Sequence, residues 1–209
     1  MRYACIFGAS CPNVAKGYLE AAFETGALLA ERGLGMVFGG GNTGLMGAAA
    51  RGVKSKGGRL IGVIPEKLNQ PGIAYPHCDQ LIVTPDMHTR KAKMEALSFG
   101  FLALPGGFGT LEELLEVITL NQLGYLQAPV VLLNTNGYYD QLLAQLDTCI
   151  AQDFTAPPCR GIYQAAPTPA LAVEALCTAR SPQLPNKIKD AIQDEERIRH
   201  HRRDCDHGL

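Results

Sequence analysis

The sequence predicts an α/β fold, an open doubly wound parallel sheet with helices on both faces. Three observations predict it. Short apolar runs alternate with longer segments of helical period, which is the pattern of strand–helix–strand units. The short runs are apolar throughout rather than at every second residue, so both faces of each strand are covered. About six or seven such units fit the 209 residues, which leaves the sheet open rather than closed into an eight-unit barrel.

The elements follow in order. Tyr3-Ala4-Cys5-Ile6-Phe7 is the first strand and ends in the small-residue turn Gly8-Ala9-Ser10. A helix runs from about Asn13 to Arg32, and Gly33 supplies the left-handed residue that closes it. Leu34 to Phe38 is the second strand. It opens onto Gly39-Gly40-Gly41-Asn42-Thr43-Gly44-Leu45-Met46-Gly47, and a small-residue helix continues to about Lys56. Arg59 to Ile64 is the third strand, Pro65 to Asp79 a loop rich in Pro and Gly, and Leu81 to Thr84 the fourth strand. Asp86 caps a helix that carries Met87 to Met94. Phe99 to Leu104 is the fifth strand, Pro105 to Gly109 a turn, and a helix runs on from Thr110 with Leu111, Leu114, Leu115 and Ile118 as its apolar stripe. Val130 to Leu133 and Tyr138 to Ala151 form the next strand and helix. Gly161 to Ala165 is an edge strand and Pro169 to Thr178 the last helix. Residues 1–181 therefore read as one domain. Residues 182–209 read as a charged helix fraying into a tail, with a basic cluster at Arg199 to Arg203.

Composition narrows the function. Lys plus Arg (19) balances Asp plus Glu (20), so no strong field favours nucleic acid or an anionic membrane. No apolar run reaches the length of a membrane span, and no signal peptide opens the chain. The seven cysteines are scattered and never spaced C-x-x-C, which fits reduced thiols in a cytoplasm rather than disulfides or a zinc site. Cys5 reads as core.

The chemistry concentrates at strand carboxyl ends, where open parallel sheets bind ligands. Three glycine turns, after Phe7, Phe38 and Leu104, fall there and are expected to converge on one edge. The strand–turn–helix over 99–120 leaves helix N-terminal amides without partners, and those amides with the helix dipole favour a phosphate. Glu113 lies one turn in. Thr110-Leu111-Glu112-Glu113 also fits a capping box, in which Thr110 and Glu113 satisfy backbone amides and nothing more. A cap does not call for three glycines in the preceding five positions, whereas close approach of a ligand does. Gly39, Gly41 and Gly44 match G-x-G-x-x-G with Glu66 at the spacing of a ribose-binding acid, a weak dinucleotide signature. A mononucleotide with its phosphate between two turns is the more economical reading. Asn42 and Thr43 either donate to that phosphate or cap the following helix. Arg90, in a first helical turn, opposes the helix dipole, a cost that a phosphate or a carboxylate offsets.

Together these residues resemble the LONELY GUY family of cytokinin-activating phosphoribohydrolases, often labelled lysine decarboxylases. The pattern P-G-G-x-G-T-x-x-E falls at Pro105 to Glu113, G-G-G-x-x-G-L-M-G at Gly39 to Gly47, and M-H-x-R-K at Met87 to Lys91; Asn134, Gly137, Tyr138 and Tyr139 also fit. The resemblance spans roughly Tyr3 to Phe154. It implies a Rossmann-like fold, a homodimer, and hydrolysis of the N-glycosidic bond of an adenosine 5'-monophosphate, with or without an N6-prenyl group, to free base and ribose 5-phosphate. It implies Glu113 and Arg90 as the catalytic pair. Ser10, Gly41, Asn42, Thr43, Met87, Lys91, Pro105, Gly106, Gly107, Phe108, Gly109 and Thr110 are the expected substrate and phosphate surface. One departure is Asn121, which stands at a place where the family often has a Trp that shapes the base pocket, and this chain has no Trp. Neither a cofactor nor a metal is required. Glycosidic cleavage builds positive charge on the sugar, which a carboxylate near the anomeric carbon stabilises or relieves by activating water. Two other readings stand beside it: a nucleosidase of broader base range, and a nucleotide- or cofactor-binding protein without turnover.

Overall fold

The computed structural model describes residues 1–179. Seven strands form one sheet in the order β4-β3-β2-β1-β5-β6-β7. They are β1 (Tyr3–Phe7), β2 (Gly35–Phe38), β3 (Leu60–Pro65), β4 (Gln80–Thr84), β5 (Gly100–Ala103), β6 (Val130–Leu133) and β7 (Tyr163–Ala166), and every pair is parallel. The expected strands are all present, the edge strand two residues later than its apolar signal. The expected charged segment 182–209 and its basic cluster lie outside the described residues.

The helices are α1 (Lys16–Glu31), α2 (Gly44–Ser55), α3 (Met87–Ala96), α4 (Phe108–Gln122), α5 (Asp140–Ala151) and α6 (Pro169–Thr178). Alternate strand residues feed two cores. Ala4, Ile6, Met36 and Phe38 pack with α1, α2 and α6, while Cys5, Phe7, Val37 and Phe101 pack on the other face with α3, α4 and α5. β1 leads outward through α1 to β2, whereas β5 leads the opposite way through α4 to β6. The winding therefore reverses between β1 and β5, and the crevice of a doubly wound sheet opens at such a reversal.

Two local details differ from the sequence reading. The buried face of α4 is Thr110, Glu113, Leu114, Val117 and Asn121, and Leu115 points outward at 39% exposure. The apolar stripe is thus displaced by one position, because two inward places are held by Thr110 and Glu113. The loop after β3 is present as expected but carries a short 3-10 turn, Glu66–Leu68, and is packed down. It folds back onto the second glycine turn, with Tyr75 N–H donating to Gly40 O at 2.8 Å and Asn42 N–H to Ile73 O at 2.9 Å.

Candidate functional site

The three glycine turns meet at the carboxyl edge. Ala9 N–H donates to Pro105 O at 3.1 Å, and Leu45 N–H donates to Ala9 O at 2.8 Å, so the turn after β1 is stitched to the turns after β5 and β2. The Thr43 hydroxyl adds a third stitch, donating to Ser10 O at 2.6 Å. Thr43 occupies the N-cap place of α2 but makes no side-chain cap, and this closes the capping alternative for it. Between the turns lies a cleft of about 280 Å³ lined by Ala9, Cys11, Val14, Tyr18, Leu45, Pro105 to Gly107 and Tyr138.

The capping box of Thr110 and Glu113 does not form. α4 starts two residues earlier than expected, at Phe108 with Gly107 as its N-cap, so Thr110 lies inside the first turn. Thr110 is buried with its Oγ1 against Gly106, where a Cβ would fall 2.1 Å from that oxygen and 2.9 Å from Ala9 N. Gly106 is therefore required by packing within the protein. Gly107 and Gly109 have no heavy atom within 4 Å of where a Cβ would stand, so the helix N-terminus is open toward solvent on that side. The first amides of α4 have no partner within the helix, which makes this end receptive to an anion.

Glu113 is paired instead with Arg90. The Arg90 Nη1 lies 3.0 Å from Glu113 Oε1, and both side chains are under 10% exposed. Arg90 is fixed from two further directions. Its Nε donates to Val63 O at 3.1 Å, and its Nη2 lies so close to Gly39 that a Cβ there would stand 1.9 Å away. Gly39 is thus the place in the second turn that lets a guanidinium rest on the end of β2. The carboxylate that offsets Arg90's opposition to the α3 dipole is Glu113, twenty-three residues along the chain. Asp86 caps α3 as expected, accepting from Thr89 N at 2.7 Å. Burial pushes the Glu113 carboxyl above its usual value of 4.5, with the neighbouring Arg90 charge pulling the other way.

Of the other expected site residues, Ser10, Gly107, Phe108 and Gly109 are exposed at the edge, Gly41 and Asn42 are half-buried there, and Pro105 is buried. Met87 is 43% exposed at the start of α3, within 3.8 Å of Arg90 Nη1 through its sulfur. Lys91 is engaged with α4, where its Nζ pairs with Glu112 and lies 2.9 Å from Glu116. Burial pulls its ammonium down, but those two carboxylates outweigh it and hold the group charged. Asn121 does not form a wall of the cleft. It is buried, with Nδ2 on Val117 O and Oδ1 accepting from Ala128 N, and it pins the end of α4 to the start of β6. Glu66 is exposed in a short 3-10 turn, Glu66–Leu68. Cys5 is fully buried and its thiol is pushed up by burial.

Two residues without an assigned role in the sequence reading also contact the site. Tyr139 OH donates to Leu104 O at 2.7 Å, and Tyr138 OH donates to Gly106 O at 2.6 Å. The only signal for them was the Asn134-to-Tyr139 motif, which carries no role by itself.

Residues 46–176 match a family model described as possible lysine decarboxylase. The chain is 45% identical over 176 residues to the probable cytokinin riboside 5'-monophosphate phosphoribohydrolase LOGL5 of Oryza sativa subsp. japonica, covering 84% of this chain and 70% of that protein. It is 39% identical over 194 residues to cytokinin riboside 5'-monophosphate phosphoribohydrolase LOG1 of Arabidopsis thaliana, covering 93% and 85%. Among solved structures, the molybdenum cofactor carrier protein of Chlamydomonas reinhardtii superposes with a TM-score of 0.65 at 26% identity, over 85% of this chain and 97% of that one. The molybdenum cofactor binding protein of Rippkaea orientalis shares the fold with a TM-score of 0.66 at 24% identity, over 85% and 96%.

Proposed function

The chain belongs to the LONELY GUY family of phosphoribohydrolases, and from that premise we propose that it hydrolyses the N-glycosidic bond of an adenosine 5'-monophosphate, with or without an N6-prenyl group. The products are the free base and ribose 5-phosphate, the step that yields active cytokinin when the base is prenylated.

The observation that carries this reading is the buried Arg90–Glu113 contact on the same edge as an open helix N-terminus. The 5'-phosphate docks on the amides of Gly107 to Thr110, with Gly41 to Thr43 on its other side. Glu113 is five residues into α4 from Phe108, about 7.5 Å along the axis at 1.5 Å per residue. That separation suits the two ends of one ribose phosphate. As the bond from the anomeric carbon to the base nitrogen breaks, its electron pair leaves with the base and positive charge builds on the sugar. The Glu113 carboxylate stabilises that charge and takes a proton from the attacking water, whose oxygen bonds to the anomeric carbon; the departing base nitrogen takes up a proton, and loss of the proton from Glu113 restores the carboxylate. Arg90 favours the ionised form against the effect of burial and holds the carboxylate in place. Residues 1–181 act as one catalytic domain of a cytoplasmic protein. A homodimer is the assembly, supported by apolar side chains left exposed at the two ends of α4, Phe108 at 93% and Tyr125 at 73%.

A lysine decarboxylase is disfavoured by Lys91, which two carboxylates hold charged, whereas a lysine that forms a Schiff base must be able to lose its proton. The likeness to the Chlamydomonas reinhardtii carrier protein favours a second reading, a binding protein without turnover. One assay separates them. The purified protein, incubated with a panel of purine and pyrimidine nucleoside monophosphates, releases free base from AMP or its prenylated form; release from none of them favours the binding reading.

A further inference from the structure

An anion site made of peptide amides has a requirement that the amides alone do not meet. Every peptide also carries a carbonyl oxygen, and one turned toward a phosphate repels it. In the turn after β5, each of four successive carbonyls is occupied. Leu104 O accepts from Tyr139 OH at 2.7 Å, Pro105 O from Ala9 N at 3.1 Å, Gly106 O from Tyr138 OH at 2.6 Å, and Gly107 O from Leu111 N at 3.0 Å. Only the last of these belongs to the helix itself.

The Gly106 carbonyl matters most. In a trans peptide the C=O of one residue and the N–H of the next point in opposite directions. Fixing Gly106 O on Tyr138 therefore fixes the Gly107 N–H away from Tyr138. Glycine on both sides of this peptide leaves the plane free to rotate unless something holds it. Tyr138 can hold it because its own backbone is locked. Asn134 Oδ1 accepts from Tyr139 N at 2.7 Å, Asn134 Nδ2 donates to Asp140 Oδ1 at 2.8 Å, and the Tyr138 ring meets those of Tyr139 and Tyr18 edge-on at 5.0 and 6.0 Å.

We infer that Tyr138 is a positioning residue for the substrate phosphate: its hydroxyl sets the Gly106–Gly107 peptide so that the Gly107 N–H, and not the Gly106 carbonyl, faces the anion. Tyr139 anchors the strand end beneath it. The inference rests on the phosphate site of the function proposed above.

The test uses the full chain with Tyr138→Phe, which removes the hydroxyl and keeps the ring, and Tyr138→Leu, which removes both. Ribose 5-phosphate binding is followed by calorimetry and AMP hydrolysis by base release. The expected result is a rise of about tenfold in both the ribose 5-phosphate Kd and the KM for AMP in Tyr138→Phe, the loss of one oriented hydrogen bond, with kcat within about twofold. Tyr138→Leu matches it. A Tyr138→Phe variant with wild-type Kd beside a weakened Tyr138→Leu assigns the residue to ring packing and overturns the inference. Wild-type protein that binds ribose 5-phosphate but releases no base from AMP removes the hydrolase reading, and the Kd comparison then still decides the role of Tyr138.

Discussion

Arg90 and Glu113 are held together by competing forces. Burial opposes charge on either side chain, and each charge offsets that cost for the other. For Glu113 the burial effect is the larger, so its carboxyl titrates above 4.5 in the folded protein. The sign for activity follows. If the ionised carboxylate stabilises the sugar cation, kcat/KM falls on the acid side with a midpoint above 4.5. Removing the Arg90 charge takes away the one neighbour that favours ionisation most. The Arg90→Met variant is therefore expected to move that midpoint further up, besides lowering the maximal rate. A pH–rate profile of both proteins checks this, and an acid limb at or below the ordinary carboxylate value in the wild type would contradict it. The sign for stability is the same physics: ionising Glu113 inside the fold costs more than ionising it in the unfolded chain. Its contribution is therefore greatest below 4.5 and declines as pH rises through its folded value.

At the scale of the element, α1 and α2 show why the second helix is built from small residues. A Cβ on Gly26 would stand 2.0 Å from Ala49 O, and one on Gly52 would stand 2.0 Å from Phe23 O. The two helices touch backbone to backbone at reciprocal positions. A Gly52→Ala variant must push them apart, at an expected cost of about 1–3 kcal/mol. For a domain of this size that lowers Tm by about 2–4 °C per kcal/mol, read by calorimetry. An unchanged Tm would show that the contact is slack. The strands were legible because Val130 to Leu133 or Tyr3 to Phe7 are continuous apolar runs too short for a helix. α4 was less so. Its true buried face carries Thr110 and Glu113, polar residues that an apolar stripe does not include, and of the apparent stripe Leu114 is fully buried while Leu115 points to solvent. The helix start was also misplaced, because Thr110 mimics a cap in sequence while Gly107 does that work in space. Local patterns record what a segment does alone. The polar inward face exists only because α3 brings Arg90 to it.

Across the whole molecule, the reversal of winding between β1 and β5 gathers three turns that are far apart in the chain and gives the site its location. That convergence was readable from glycines at strand ends. The Arg90–Glu113 pairing and the Tyr138 bond to Gly106 were not readable from spacing, since each joins residues more than twenty positions apart. The motif resemblance named the first pair and was silent on the second. The account stands on Glu113 acting on the sugar end of a bound nucleotide. The most direct measurement compares base release from AMP by wild-type protein and Glu113→Gln, with ribose 5-phosphate binding measured on both. The account predicts a turnover loss on the order of 10²-fold or more in Glu113→Gln, with binding retained, the range for a positioned acid–base group. Full turnover in that variant would contradict it.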